Sequence, residues 1–273
     1  MKDCLRECGA ETLGTFLLVF FGIGIVHVAV LADAQVALWQ VAAVWAMGVS
    51  LAIYASAARS GAHLNPAITI ALTAFRNFPL KKAPGFILAQ LAGAFLAAGA
   101  LHLLFADMLR HFELANGLVR GMPGSELAAM VYGEYFPNPA FAQAKGWCPT
   151  VVSLPQAMLA EGMGTALLAF FVFFLTRPGQ PSAPRKLLVP AIIGLTIAAI
   201  ILVIAPVTQA GLNPARDFGP RLFAWLAGWG RIAIPGPRGG FFTVYILAPI
   251  LGALGGAFLA ESAIFQPTEN LSP

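Results

Sequence analysis

Two stretches decide how this chain is read: Ser60-Gly-Ala-His-Leu-Asn-Pro-Ala-Ile-Thr-Ile70 and Gly211-Leu-Asn-Pro-Ala-Arg-Asp-Phe-Gly-Pro220. Both centre on Asn-Pro-Ala, once at Asn65, Pro66 and Ala67 and again at Asn213, Pro214 and Ala215, 148 residues apart. Asn at an N-cap with Pro at N1 starts a helix: the Asn oxygen accepts from the first turn, and Pro has no N–H to orphan. A single copy would be no more than a capped helix start, because Asn-Pro is a common turn signal. The second copy changes this, because the flanking sequence repeats with it. Glu11-Thr-Leu-Gly-Thr-Phe-Leu-Leu-Val-Phe-Phe21 matches Glu161-Gly-Met-Gly-Thr-Ala-Leu-Leu-Ala-Phe-Phe171, and Gly93-Ala-Phe-Leu-Ala97 matches Gly256-Ala-Phe-Leu-Ala260. All three pairs run in the same order, which marks an internal duplication.

The surrounding composition names the solvent. Of 273 residues 59% are apolar and only 10% charged, with mean hydropathy +0.79. A soluble domain carries about 25% charged residues, so this chain cannot clothe a water-facing surface. Disorder is excluded by the same numbers. Three cysteines, Cys4, Cys8 and Cys148, are too few for a disulfide framework or a zinc site. Six continuous apolar runs approach the roughly 20 residues that cross a bilayer: Leu13–Leu31, Val36–Ala58, Phe86–Ala106, Met158–Thr176, Leu187–Ala205 and Phe242–Ile264. Their continuity argues against a transmembrane β-barrel. The first run is too long for the apolar stretch of a signal peptide and is read as a retained span.

Lys and Arg set the orientation. Lys2 and Arg6, then Arg59, Arg76, Lys81 and Lys82, then Arg177, Arg185 and Lys186 mark three basic segments, whereas the link Ala32–Gln35 has no cation. Both termini are therefore expected in the cytoplasm, in a plasma (inner) membrane. Arg216, Arg221, Arg231 and Arg238 break the rule, since their link should lie outside. The chain reads as one channel domain, with repeat one over about 8–107, a long extracellular loop over about 108–154, and repeat two over about 158–264. Three spans per half force the second copy to enter upside down, a common plan for transporters and channels.

The residues after each Asn-Pro-Ala are too few to cross: Ile68–Phe75 in the first half and Arg216–Trp225 in the second. They are expected as re-entrant half-helices whose N-termini meet at mid-membrane, each presenting about half a positive charge. The Asn65 and Asn213 amides are expected to stay free to donate to a passing oxygen. The preceding backbone, Gly61–Leu64 and Thr208–Leu212, would supply carbonyl acceptors, since irregular backbone at membrane depth must line a wet cavity or be buried in protein. A positive centre opposes cations and hydronium, and donors with acceptors suit a neutral hydroxylated solute.

Taken together the two loops resemble those of the aquaporin family, in its glycerol-facilitator branch. The likeness spans nearly the whole chain, including Phe223-Ala-Trp-Leu-Ala-Gly-Trp-Gly230 and Tyr135-Phe-Pro-Asn-Pro139. It implies an all-α fold of six transmembrane helices, two half-helices and inverted three-helix repeats, assembled as a homotetramer in the bilayer. Position by position it implies an outer selectivity filter of Trp45, Ile201, Ala210 and Arg216. Asp217 resembles the glycerol branch; Ile201 and Ala210 depart from it toward nodulin-like members, which pass glycerol and uncharged metalloid acids. Tyr245 and Ile246 also depart, standing where that branch has Pro-Leu. Physically, Arg216 at N3 opposes the helix dipole, and a cation near membrane depth is a functional-site hypothesis by default. Trp45 would offer an apolar wall, while Trp39 suits the interfacial belt.

Glu11 and Glu161 occupy equivalent repeat positions, and the resemblance implies that they hold the two loops. The alternative is a proton relay, which intramembrane acids often serve; the absence of a third acid to continue the chain favours tethering. His63 is expected at the pore vestibule, and His27 and His102 in packing. Gly48, Gly93, Gly194 and Gly256 would permit close helix crossings. The leading function is a passive channel for glycerol and similar small neutral solutes, with some water and excluding ions and protons; the alternative is a channel of the same fold that prefers metalloid acids or urea, or passes mainly water. A proton-coupled transporter is the second reading. An intramembrane enzyme finds no motif to support it. No cofactor, metal or nucleic acid partner is expected.

Overall fold

The computed structural model describes residues 2–32, 36–177 and 186–262. Arg185 of the third basic segment, residues 33–35 of the cation-free link and Ile264 at the expected end of the last span fall outside them. Among the described residues six helices are long and apolar enough to cross a membrane: α1 (Lys2–Leu31), α2 (Leu38–Ser60), α4 (Ala83–Ala115), α7 (Leu154–Leu175), α8 (Val189–Thr208) and α10 (Thr243–Glu261). Between them lie two short helices that follow the Asn-Pro pairs, α3 (Pro66–Phe75) and α9 (Pro214–Ala224). Both start at Pro, two residues earlier than the apolar stretches suggested, because Asn65 and Asn213 cap them. Their side-chain oxygens accept from Ala67 N and from Ala215 N and Arg216 N, respectively.

The halves build themselves from matching contacts. In the first, α1 packs on α2 and α4; in the second, α7 packs on α8 and α10, and α2 against α8 joins the halves. Small residues set the approach. A methyl added at Gly93 would run into Thr12 O of α1, and one at Gly256 into Ala166 O of α7. In the repeat register Thr12 corresponds to Gly162, whose O a methyl at Gly252 would meet, so both copies use close glycine approaches on this helix pair, one turn apart. Gly194 faces Ala46 O, and Gly48 faces Phe21 Cβ. Without a hydrophobic driving force between helices in lipid, such close backbone approach supplies the packing.

The outward face is apolar: Leu103, Val203, Leu195 and Leu251 are among the exposed large side chains. Soluble monomers do not expose a belt of this kind, so the protein is an integral, multi-pass membrane protein. The expected long loop is shorter than its span suggested. α4 continues nine residues beyond Ala106 to Ala115, and the remaining link carries the short helices α5 (Glu126–Ala129) and α6 (Pro139–Lys145). This link is no solvent-swept loop; residues 128–138 are buried, and they pack against the second half-helix.

Candidate functional site: a pore built on paired half-helices

The two half-helices meet N-terminus to N-terminus. Asn65 Nδ2 donates to Leu212 O (3.0 Å), and Asn213 Nδ2 donates to Leu64 O (2.8 Å). This corrects the expectation that both amides stay free. One hydrogen of each is spent locking the opposite loop, and the second hydrogen of each remains. The exchange makes the pair a single rigid unit, because moving either Asn breaks bonds in both halves.

The loops before each Asn are strained and tied down. Ala62, Leu64, Ala210 and Leu212 all have φ between 52° and 65°, in the left-handed region that disfavours side chains. Each such residue costs about 1–3 kcal/mol and persists only when its surroundings fix it. Glu11 and Glu161 do the fixing. Glu11 Oε1 accepts from His63 N (3.0 Å) and Ser60 Oγ, and Oε2 from Leu64 N (2.7 Å) and Gln90 Nε2. Glu161 Oε1 accepts from Gly211 N (2.9 Å) and Thr208 Oγ, and Oε2 from Leu212 N (2.7 Å). Every carboxylate oxygen faces N–H or O–H donors of its own loop or its neighbours.

A cavity of about 800 Å³ runs along this unit, from Thr176, Arg177 and Lys186 at one end to Trp45, Ile201, Ala210 and Arg216 at the other. Trp45, Ile201, Ala210 and Arg216 line this one cavity, as do Asn65, Asn213 and His63. His63 Nδ1 hydrogen-bonds Thr69 Oγ1 (3.2 Å), and its ring meets Phe78 edge-on and Phe86 at a tilt. The Arg216 guanidinium lies over the Trp45 ring, 4.6 Å from its centroid. Room for that ring is left by Gly22, where any side chain would occupy the indole's place. Arg216 is buried, yet its Nε and Nη1 hydrogens are claimed by no acceptor among the described residues.

What sequence reasoning missed is the support behind Arg216. Its Nη2 pairs with the carboxylate of Glu134, from the link between α4 and α7. Asp217 receives Glu134 N on one oxygen (2.7 Å) and Arg221 Nε on the other (2.8 Å). Arg221 then bonds Ala233 O and Glu134 O. Arg216 is thus no isolated cation, and Asp217 is an anchor for the link. Burial pushes the Glu134 carboxyl up to about 8, with Arg216 pulling the other way. The available signal was an acid within the apolar run Val131–Phe136.

Residues 1–260 match the family described as major intrinsic protein. The chain belongs to that family. Among its relatives in the major intrinsic protein family, the glycerol uptake facilitator protein of Pseudomonas aeruginosa is 46% identical, over 92% of this chain and 86% of the relative. The Escherichia coli glycerol uptake facilitator protein is 43% identical, over 94% and 88%. The propanediol uptake facilitator PduF of Salmonella typhimurium is 42% identical, over 94% and 93%. In three dimensions the chain is similar to the aquaglyceroporin from Plasmodium falciparum, with TM-score 0.77, 26% identity and coverage of 94% and 96%. The family resemblance drawn from the paired motifs holds. Proteins of the major intrinsic protein family are channels rather than enzymes, and the cavity here is a lined passage to match.

Proposed function

We propose that this protein is a passive channel for glycerol and similar small neutral polyols, propanediol included, with some water. The observation that carries it is the Arg216–Trp45 pair. Unclaimed guanidinium donors stand beside a flat apolar ring in the cavity, so hydroxyls face one wall and carbons the other. Ile201 and Ala210 complete the constriction, leaving one aromatic wall where two would be narrower. At the centre, the second amide hydrogens of Asn65 and Asn213 and the half-helix dipoles favour an oxygen and oppose a cation. Glu11 and Glu161 serve as loop tethers, since their oxygens are fully engaged. Both termini face the cytoplasm of an inner membrane, and the apolar outer face seats lipid and the neighbouring subunits of a homotetramer.

Proteoliposomes in a glycerol gradient test the proposal. Swelling well above that of empty liposomes is expected, along with no accumulation above the external concentration under a proton gradient. Flux no greater than the empty vesicles, from monodisperse protein, would overturn it; accumulation driven by a proton gradient would favour the transporter.

A further inference from the structure

Two of the three cysteines stand on α1 one turn apart, outside the pore and unused by anything described above. Cys4 and Cys8 are both free thiols and both partly buried, and four residues apart on α1 they share one face of the helix. They sit on the polar end of the helix, beside Asp3, Arg6 and Glu7, where water reaches: the Asp3 and Arg6 side chains are 87% and 64% exposed. The end is held in place. Lys82 Nζ bonds both Glu7 oxygens (2.8 and 2.9 Å) and joins α1 to the segment entering α4. Gly85 at the start of α4 faces the Cys8 sulfur, where an added methyl would stand 3.4 Å away, and the sulfur stays partly exposed.

Geometry selects what such a pair takes. Helix residues four apart have Cβ atoms about 5–6 Å apart, whereas a disulfide needs about 3.5–4.5 Å. A direct S–S bond would have to unwind the first turns. One soft atom bonded to both sulfurs spans the gap without that. Zinc requires about four ligands, and no group of three His, Cys, Asp or Glu side chains fit for a metal occurs among the described residues. A centre needing only two sulfurs fits, with its third valence already filled.

We propose that Cys4 and Cys8 form a chelating dithiol for trivalent organoarsenicals. The step is condensation: an aryl arsenic(III) dihydroxide loses both hydroxyls, two As–S bonds form, and the two thiol protons leave with them as two waters. Arsenic stays trivalent and nothing is oxidised. The site is independent of the pore reading.

The test uses the full chain and phenylarsine oxide. Wild-type protein is expected to retain one arsenical through gel filtration by intact mass, while its free thiols fall from three to one. Dimercaptopropanol should strip the adduct, and glutathione at equal thiol concentration should not. Cys4→Ser and Cys8→Ser should each lower retention about a hundredfold or more, as a two-point attachment becomes one-point. Cys148→Ser should retain the arsenical fully. Monodisperse elution of the serine variants separates lost chelation from lost folding. Absence of a retained adduct on wild-type protein, or undiminished retention in either single α1 variant, would overturn the proposal.

Discussion

Substituting Glu161 by Gln separates a loop tether from a proton relay. Three donors converge on its two oxygens: Gly211 N at 2.9 Å, Thr208 Oγ at 2.6 Å and Leu212 N at 2.7 Å. A carboxamide keeps one oxygen, which can still serve Gly211 and Thr208. Its NH₂ then faces the Leu212 N–H, donor against donor. Losing one hydrogen bond to a charged group costs about 1.5–3 kcal/mol, and stranding a buried N–H about 1–3 kcal/mol. Both figures describe the same broken bond, so the cost is about 1.5–3 kcal/mol. Leu212 and Ala210 are left-handed at φ 58° and 65°, so a released loop gains further by relaxing toward ordinary backbone. Since about 1.4 kcal/mol is a tenfold change in an equilibrium, Glu161→Gln should lower glycerol flux at least tenfold. It should also lower the temperature at which detergent-solubilised protein leaves the monodisperse peak. Stopped-flow swelling and a heated size-exclusion series measure the two. Wild-type thermal stability combined with selective loss of proton-driven uptake would refute the tether and restore the relay.

Four other outcomes are expected. Arg216→Ala should raise ion leak across proteoliposomes, read by membrane-potential dyes, because the donor and its charge leave the constriction together. Ala210→Phe should slow glycerol and larger solutes relative to water in stopped-flow, since it adds a second aromatic wall. Gly256→Ala should destabilise the protein by about 1–3 kcal/mol through overpacking on Ala166, whereas Gly255→Ala, with nothing within 4 Å, should stabilise it by about 0.5–1 kcal/mol; thermal midpoints report both. Burial raises the Glu134 carboxyl from 4.5 to about 8, so its proton favours the folded state. That contribution is complete below pH 4.5 and lost as pH rises through about 8, and a thermal-stability profile in Glu134→Gln should lack the step.

The six spans and both half-helices were legible because lipid enforces them: a bilayer leaves only long apolar runs, and Asn-Pro fixes a helix start whatever surrounds it. Helix ends were less so. α1 begins at Lys2 and not Leu13, since Asp3 and the Glu7–Lys82 pair let the helix run on into water. The gathering of Trp45, Ile201, Ala210 and Arg216 was open to reading only through the family pattern. The Glu134–Arg216 pair was not open at all. It spans 82 residues of chain and depends on how a link folds over the pore, which no local period encodes. The same holds for Gly22, whose only task is to leave room for an indole 23 positions away.

The four arginines that broke the charge rule of topology are explained by their partners. That rule counts cations that stay in water near a membrane surface. Arg221 is buried, with Asp217, Ala233 O and Glu134 O around it. Arg238 is spent on Phe136 O and Val152 O. Arg216 has Glu134. Of the four, only Arg231 is exposed without a described acceptor of this kind. Two of the offending charges, Arg216 and Arg221, are thus internal and are held by two acids, Glu134 and Asp217, while the exposed Arg238 is spent on backbone carbonyls. Because Asp217 holds both Arg221 and the Glu134 backbone, the position of Glu134 is set from the half-helix itself. Arg216 is thus oriented by a link that Asp217 and Arg221 of its own helix pin in place, which fixes the guanidinium on one side of the cavity.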